Sequence, residues 1–253
     1  MSKAVKPRRR YHDGKKRLPG VTTVIGSVLA KPALMWWAAN VASEATAEAL
    51  ASGLSVEQAL EIGRKAHAVR RDAAADAGTL AHSYVEQWLA HESLAVDLAD
   101  EQQAKGFAAA RRLIDWVEEA EGAGRLEVLG FEVPLVDVAS GYGGTIDMVA
   151  SIDGVVHVVD FKTGKGVYDE VALQLGAYRA LWNLHNPERP VTRALVLHSP
   201  VEGDLAVHSL EQTHLDAGAS CFAACLHIYK TKKALSFVVD DEDEATEESN
   251  AAQ

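Results

Sequence analysis

The chain has few cysteines and no long apolar run, and each scarcity excludes something. Only Cys221 and Cys225 occur among 253 residues, four positions apart in a segment of helical composition. They cannot build a four-thiolate site, and a reduced cytoplasmic setting is the expectation. Buried apolar packing is the simplest role for such a pair, with a zinc ligand pair as the alternative. No stretch approaches the roughly 18 uninterrupted apolar residues of a membrane-spanning helix. The start, MSKAVKPRRR, is basic but lacks the apolar core of a secretory signal. No internal repeat is found. Gly-Lys-Gly-Val at 164–167 lacks the spacing of a nucleotide-binding P-loop.

What is present is unevenly distributed charge. Residues 1–17 hold eight Lys and Arg against one Asp, and residues 240–253 hold seven acids and no base. The two ends cancel, and the body between them carries the net charge of -11. An acidic body argues against broad non-specific nucleic-acid binding, but not against a local basic groove or an acidic metal site. Residues 1–17 read as a flexible basic arm, and 240–253 as a disordered, low-complexity tail. Between them lies a body, 18–239, mainly helical over 18–124, with a sheet core and closing helix over 125–239.

Within the helical half, Leu18-Pro19-Gly20 turns into VTTVIGSVL. Pro32 suits a first helical turn, and Ser55 is placed to cap the next helix. GTLAHSYVEQWLAH follows, with Thr79 near a further helix start. From Leu126 the pattern changes to strand. LEVLGFEVPLVDV alternates, and Pro134 marks an edge or a bend. VALQLGAYRALWNLH returns to helical period, ALVLHSP and DLAVHSL read as short strands, and HLDAGASCFAACLHIYKTKKAL as the closing helix. The order predicts an α/β fold with a central mixed sheet flanked by helices.

The most informative stretch is GTIDMVASIDGVVHVVDFKTG, residues 144–164. Asp153-Gly154 is a strong signal for a two-residue hairpin turn. That turn puts Ile152 opposite Val155 and, by the same register, Asp147 opposite Asp160. Alternation then places Thr145, Asp147, Asp160 and Lys162 on one face, and Met148, Ala150, Val159 and Phe161 on the other, core face. Paired Cβ atoms on such strands sit about 4.5–5.5 Å apart. Two carboxylates about 5 Å apart repel by about 3 kcal/mol at an effective dielectric near 20. A sequence tolerates this when one acid stays protonated or a cation bridges the pair, and oxygen donors suit Mg²⁺ or Mn²⁺. The competing reading of the hairpin alone is a solvated face with Asp160 and Lys162 as a surface ion pair.

GTID, then DFK, then QLGAY, with GTLAH upstream, resembles the RecB-like branch of the PD-(D/E)XK nuclease superfamily and, more closely, bacteriophage exonucleases. LPGVTTVIGSVLAKPALMWWA is similar to their N-terminal segment, so the resemblance runs from about Leu18 to Leu184. It implies a restriction-endonuclease-like core and a metal-dependent DNA exonuclease. Asp147, Asp160, His82 and the backbone carbonyl of Phe161 would hold the metal. Lys162 would position the attacking water or stabilise the pentavalent phosphate, and Gln174 and Tyr178, on one helix face, would orient phosphate or water. Some relatives carry an iron–sulfur cluster on four cysteines; with two cysteines none is expected here. The implied setting is phage DNA recombination, replication or repair in the host cytoplasm, beside a single-strand annealing protein, with a homo-oligomer as one form.

Alternatives stay open at this level. His82 could be a structural histidine, and Gln174 and Tyr178 could be helix packing. Glu132 is placed for an extra acidic ligand, Glu86 for an outer role or plain exposure, and Thr22 and Thr23 for phosphate contact or for starting a helix. Arg8 to Arg10, Lys15 to Arg17, Arg64, Lys65, Arg70 and Arg71 are candidates for a basic channel. The chain could instead be a catalytically silent DNA-binding or assembly subunit, or a nuclease acting on RNA.

Overall fold

A computed structural model of the chain describes residues 11–235; the first ten residues of the basic arm and the acidic tail lie outside it. In chain order the elements are β1 (Tyr11–His12), β2 (Arg17–Leu18), α1 (Val21–Val28), α2 (Pro32–Ala51), α3 (Val56–Leu89), α4 (Glu101–Gly122) and β3 (Leu126–Asp137). Then come β4 (Tyr142–Ile152), β5 (Val155–Lys162), α5 (Glu170–His185), β6 (Arg193–His198), β7 (Ala206–Leu210) and α6 (Gln212–Thr231). A 3₁₀ turn over Lys232–Leu235 follows.

Five strands form one mixed sheet in the order β3-β4-β5-β6-β7. β3, β4 and β5 make an antiparallel meander, β6 joins β5 in parallel, and β7 returns antiparallel. A parallel pair needs a crossover rather than a tight turn, and α5 supplies it. Pro134 lies in β3, an edge strand, where its missing N–H can face away from the ladder. The α/β fold with a helix-flanked mixed sheet is the one the sequence predicts.

Alternate residues of the β4–β5 hairpin enter two separate cores, as the period of two requires. Val149 and Val158 pack with Leu175 and Leu181 of α5 and Leu215 of α6. Met148, Ala150 and Val159 pack with Leu113 and Ile114 of α4 and Val85 of α3. The expectation of a single core face is therefore corrected: the hairpin is buried from both sides. A lone hairpin is marginal in water. Fully burying a Leu or Ile contributes about 1.5–3 kcal/mol, so two clamped faces make any slip in register costly.

Two local differences from the sequence reading bear on the site. The first is α3, which runs unbroken through Thr79 from a capping box in which Ser55 and Gln58 bond reciprocally. Gly78 does not break it. A Cβ there would stand 2.7 Å from Thr163 Oγ1, so the glycine serves close approach of α3 to the loop after β5. The second is the basic arm. Its residues 11–17, with Leu18, form a small hairpin, β1–β2, docked on β4 by Tyr11 Oη to Thr145 Oγ1 at 2.9 Å and by Gly143 N–H to the Pro19 carbonyl at 3.0 Å.

Candidate active site

The turn of the β4–β5 hairpin sets the register of everything beyond it. Asp153 and Gly154 have φ of 48° and 79°, both positive as a type I′ turn requires. Ile152 pairs with Val155, and pairing continues to Met148 with Val159. One step further stand Asp147 and Asp160, where the ladder opens. There Asp147 Oδ2 accepts the backbone N–H of Phe161 at 3.0 Å.

Asp160 is 1% exposed, so the two acids do not lie on a solvated face. Its Oδ1 accepts from Gln174 Nε2 at 2.8 Å. Its Oδ2 lies 2.6 Å from Lys162 Nζ as an ion pair but accepts no hydrogen bond of good geometry. Burial pushes this carboxyl up to about 6; Lys162 opposes the shift and the charge of Asp147 adds to it. For Lys162, burial alone would favour the neutral amine, but Asp160 and Asp147 outweigh it and hold the group above its usual value. Lys162 is thus a permanent cation at neutral pH.

Helix α5 supports this pair. Lys162 Nζ donates to Gln174 Oε1 at 3.2 Å, and Gln174 Nε2 also reaches Tyr178 Oη at 3.3 Å. Burial, then the charges of Asp147 and Asp160, hold the Tyr178 phenol well above its usual value, so it stays protonated. The glycine of GTID has a steric reason: a Cβ at Gly144 would stand 2.7 Å from Tyr178 Cε1. From the other side α3 brings His82, whose Nδ1 lies 3.9 Å from Asp147 Oδ2 and whose ring meets Phe161 edge-on at 6.2 Å.

His82, Asp147, Asp160, Phe161, Lys162, Gln174 and Tyr178 all line one cleft of about 1610 Å³. Thr22 and Thr23, at the start of α1, line it too, as does Glu132 on β3. Glu132 has φ of 48° and lies between residues paired to Ile146 and Met148, hence across from Asp147. Glu86 is not among the lining residues. Thr145, which alternation places on the face of Asp147, lines the cleft, and so do Tyr11, Tyr229, Lys230 and Lys232, which were missed in the sequence. Nothing local in the sequence marks these four. Arg64 and Lys65 instead pair with Glu61, Arg70 with Glu44, and Arg71 with Asp72, away from the cleft. Cys225 lies in the hydrophobic core and Cys221 is exposed.

A divalent cation can be tested against these donors. In this arrangement no group of three or more His, Cys, Asp or Glu among the described residues converges on one point. Lys162 and Gln174 occupy Asp160, and the Phe161 N–H occupies Asp147. The chemistry nevertheless fits. A carboxyl nearly sealed from water, with one oxygen held only by a cation, is already a cation-binding group. A second carboxylate and an imidazole beside it complete a set of hard oxygen and borderline nitrogen donors.

Comparison with known proteins places this geometry. The profile of the PD-(D/E)XK nuclease superfamily matches residues 37–250, and the chain belongs to that superfamily. Its members are hydrolytic nucleases that generally use divalent metals. The helix-flanked mixed sheet is accordingly a restriction-endonuclease-like fold. No curated protein sequence matches the chain. A crystal structure of a candidate exonuclease from Eubacterium rectale aligns with a TM-score of 0.44 at 16% identity, covering 63% of this chain and 66% of that one. Among the described residues no helix is long and apolar enough to cross a membrane.

Proposed function

We propose that the protein is a divalent-metal-dependent deoxyribonuclease that degrades DNA from its ends. The observation that carries this reading is the meeting of Asp147, Asp160 and Lys162 on the floor of one cleft, with Asp160 buried and one of its oxygens held by charge alone. Asp147, Asp160, His82 and the Phe161 carbonyl would hold Mg²⁺ or Mn²⁺. Such an ion, when bound, polarises the scissile phosphate and lowers the pKa of a coordinated water toward neutrality.

The remaining steps belong to the chain. Lys162 is kept protonated by its neighbours and so acts by charge, not as a base. It is placed to offset the negative charge that grows on the phosphate in the transition state. Gln174 bridges Lys162 and Asp160, fixing the ammonium against the carboxylate. Tyr178, protonated and buried, anchors Gln174 and offers a hydroxyl for a phosphate oxygen or water. No covalent enzyme intermediate is required.

The resemblance to phage exonucleases supports a setting in phage DNA recombination, replication or repair. Work in the host cytoplasm beside a single-strand annealing protein, as a homo-oligomer, would fit that setting. The test is incubation of end-labelled DNA and RNA with the protein in Mg²⁺, Mn²⁺ or EDTA. Metal-dependent shortening of linear DNA is expected. Cleavage of RNA alone would replace DNA with RNA. Binding without cleavage would make the chain a silent subunit, and cleavage undiminished in a clean Asp160→Ala preparation would end the assignment.

A further inference from the structure

In a body of strong negative charge, most of the cations that lack a carboxylate partner among the described residues gather at the cleft; Lys15, Arg112 and Arg125 lack one too but do not line it. Lys31, Arg64, Lys65, Arg70, Arg71, Lys105, Arg111, Arg179, Arg189 and Arg193 each sit in an ion pair with Asp or Glu. Lys16, Arg17, Lys230 and Lys232 have no ion-pair partner among the described residues, are exposed, and line the main cleft. Lys165 is likewise exposed and lines an adjoining cleft of about 1070 Å³ that shares His82, Thr163 and Gly164 with the first.

The two rims come from distant parts of the sequence. Lys16 and Arg17 stand on the β1–β2 hairpin, which Tyr11 fastens to Thr145 only two residues from Asp147. Lys230 lies in the last turn of α6 and donates to the Ser140 carbonyl, and Lys232 lies 5.4 Å over the ring of Tyr229. Both contacts leave each ammonium its full charge. Asp13 near Lys16 and Asp137 near Lys230 offset part of this charge without forming ion pairs, and four exposed cations around one cleft are placed to attract a polyanion. Tyr11 and Tyr229, lining the same cleft, offer aromatic faces to bases.

We propose that these rims form a phosphate grip. Lys16 and Arg17 from the β1–β2 hairpin and Lys230 and Lys232 from the end of α6 hold the backbone of a nucleic-acid strand over Asp147 and Asp160, and Lys165 takes the strand beyond His82. This rests on the nuclease reading for the direction of the strand, but the grip is measurable without catalysis.

The experiment is fluorescence anisotropy of labelled oligothymidylate, and separately of a labelled duplex, in EDTA across a series of NaCl concentrations. The wild-type protein, a Lys16→Ala/Arg17→Ala variant and a Lys230→Ala/Lys232→Ala variant are compared, with Arg64→Ala/Lys65→Ala as the control. Each phosphate contact contributes about 0.7 to the slope of log K against log salt on a single strand and about 0.9 on a duplex. Each rim variant should therefore lose about 1.4 or about 1.8 from the slope's magnitude, and the control should lose nothing. Whichever probe shows the loss identifies the strand form that the cleft takes. All exchanged side chains are exposed, and an unchanged melting temperature checks folding. Rim variants with the wild-type slope on both probes, or a control with an equal loss, would overturn the grip. Metal-dependent cleavage alongside an unchanged slope would refute the grip and leave the nuclease; a lost slope without cleavage would do the reverse.

Discussion

The two ends of the β4–β5 hairpin use the same residue for opposite purposes. At the closed end Asp153 is exposed with φ of 48°, and its work is done by the backbone: with Gly154 it reverses the chain and sets the register. At the open end Asp160 is 1% exposed, its carboxyl pushed up to about 6, and its work is done by the side chain. The closed end specifies the fold, and the open end carries charge that the fold alone would reject. A type I′ turn at residues 153–154 is therefore what delivers Asp147 and Asp160 to adjacent positions.

Substitutions can separate the two ends. The largest effect is expected at the open end: Asp160→Ala or Asp147→Ala should reduce cleavage of labelled DNA to background while circular dichroism stays native. Lys162→Ala should follow, with about 10²- to 10³-fold lower kcat under single-turnover conditions, since one preorganised charge on the transition state is lost. Gln174→Ala should cost about 10- to 100-fold in metal affinity or activity, because Gln174 only orients the groups that act. At the closed end Gly154→Ala should cost about 1–2 kcal/mol of stability, measured by urea unfolding, because a Cβ is forced into the left-handed region. Its kcat at low temperature should stay near wild type. If Gly154→Ala lowered kcat as much as Lys162→Ala, the two ends would not be separable.

The pH dependence sharpens the same contrast. The folded-state value of Asp160, about 6, lies above its ordinary 3.8, so the folded chain holds this proton more tightly than the unfolded chain. The stability this group contributes is full below the ordinary value and is lost as pH rises through about 6. A divalent cation needs the ionised form and competes with the proton. Added Mg²⁺ should therefore raise the melting temperature at pH 7.5, by about 2.7 kcal/mol of stabilisation at a hundredfold excess over Kd, and raise it little at pH 5. Equal shifts at the two pH values would remove Asp160 from the cation site.

The hairpin was legible because one dipeptide fixes a period-two pattern, and each arm then inherits its facing from the turn. The α/β order followed from the change of period at Leu126. Four features were not legible, each for a physical reason. Thr79 looked like a helix start, but whether the preceding Gly78 interrupts a helix or permits a close contact depends on Thr163, 85 positions after that glycine. The β1–β2 hairpin has two residues per strand, too few to show alternation. Lys230 and Lys232 read as the end of the closing helix because their place on the cleft is set by how α6 packs across α1 and α5. The α3 cations looked like a channel because a run of sequence shows charges and hides their partners: Glu44, which neutralises Arg70, lies on another helix.

The most direct test is calorimetric titration of the wild-type protein, Asp147→Asn and Asp160→Asn with Mn²⁺ at pH 7.5. On the proposed reading, in which both carboxylates hold one cation, the wild type should bind the ion and each single substitution should abolish that binding. Binding that survives at wild-type affinity in either variant would contradict the shared site and, with it, the chemistry assigned to the open end of the hairpin.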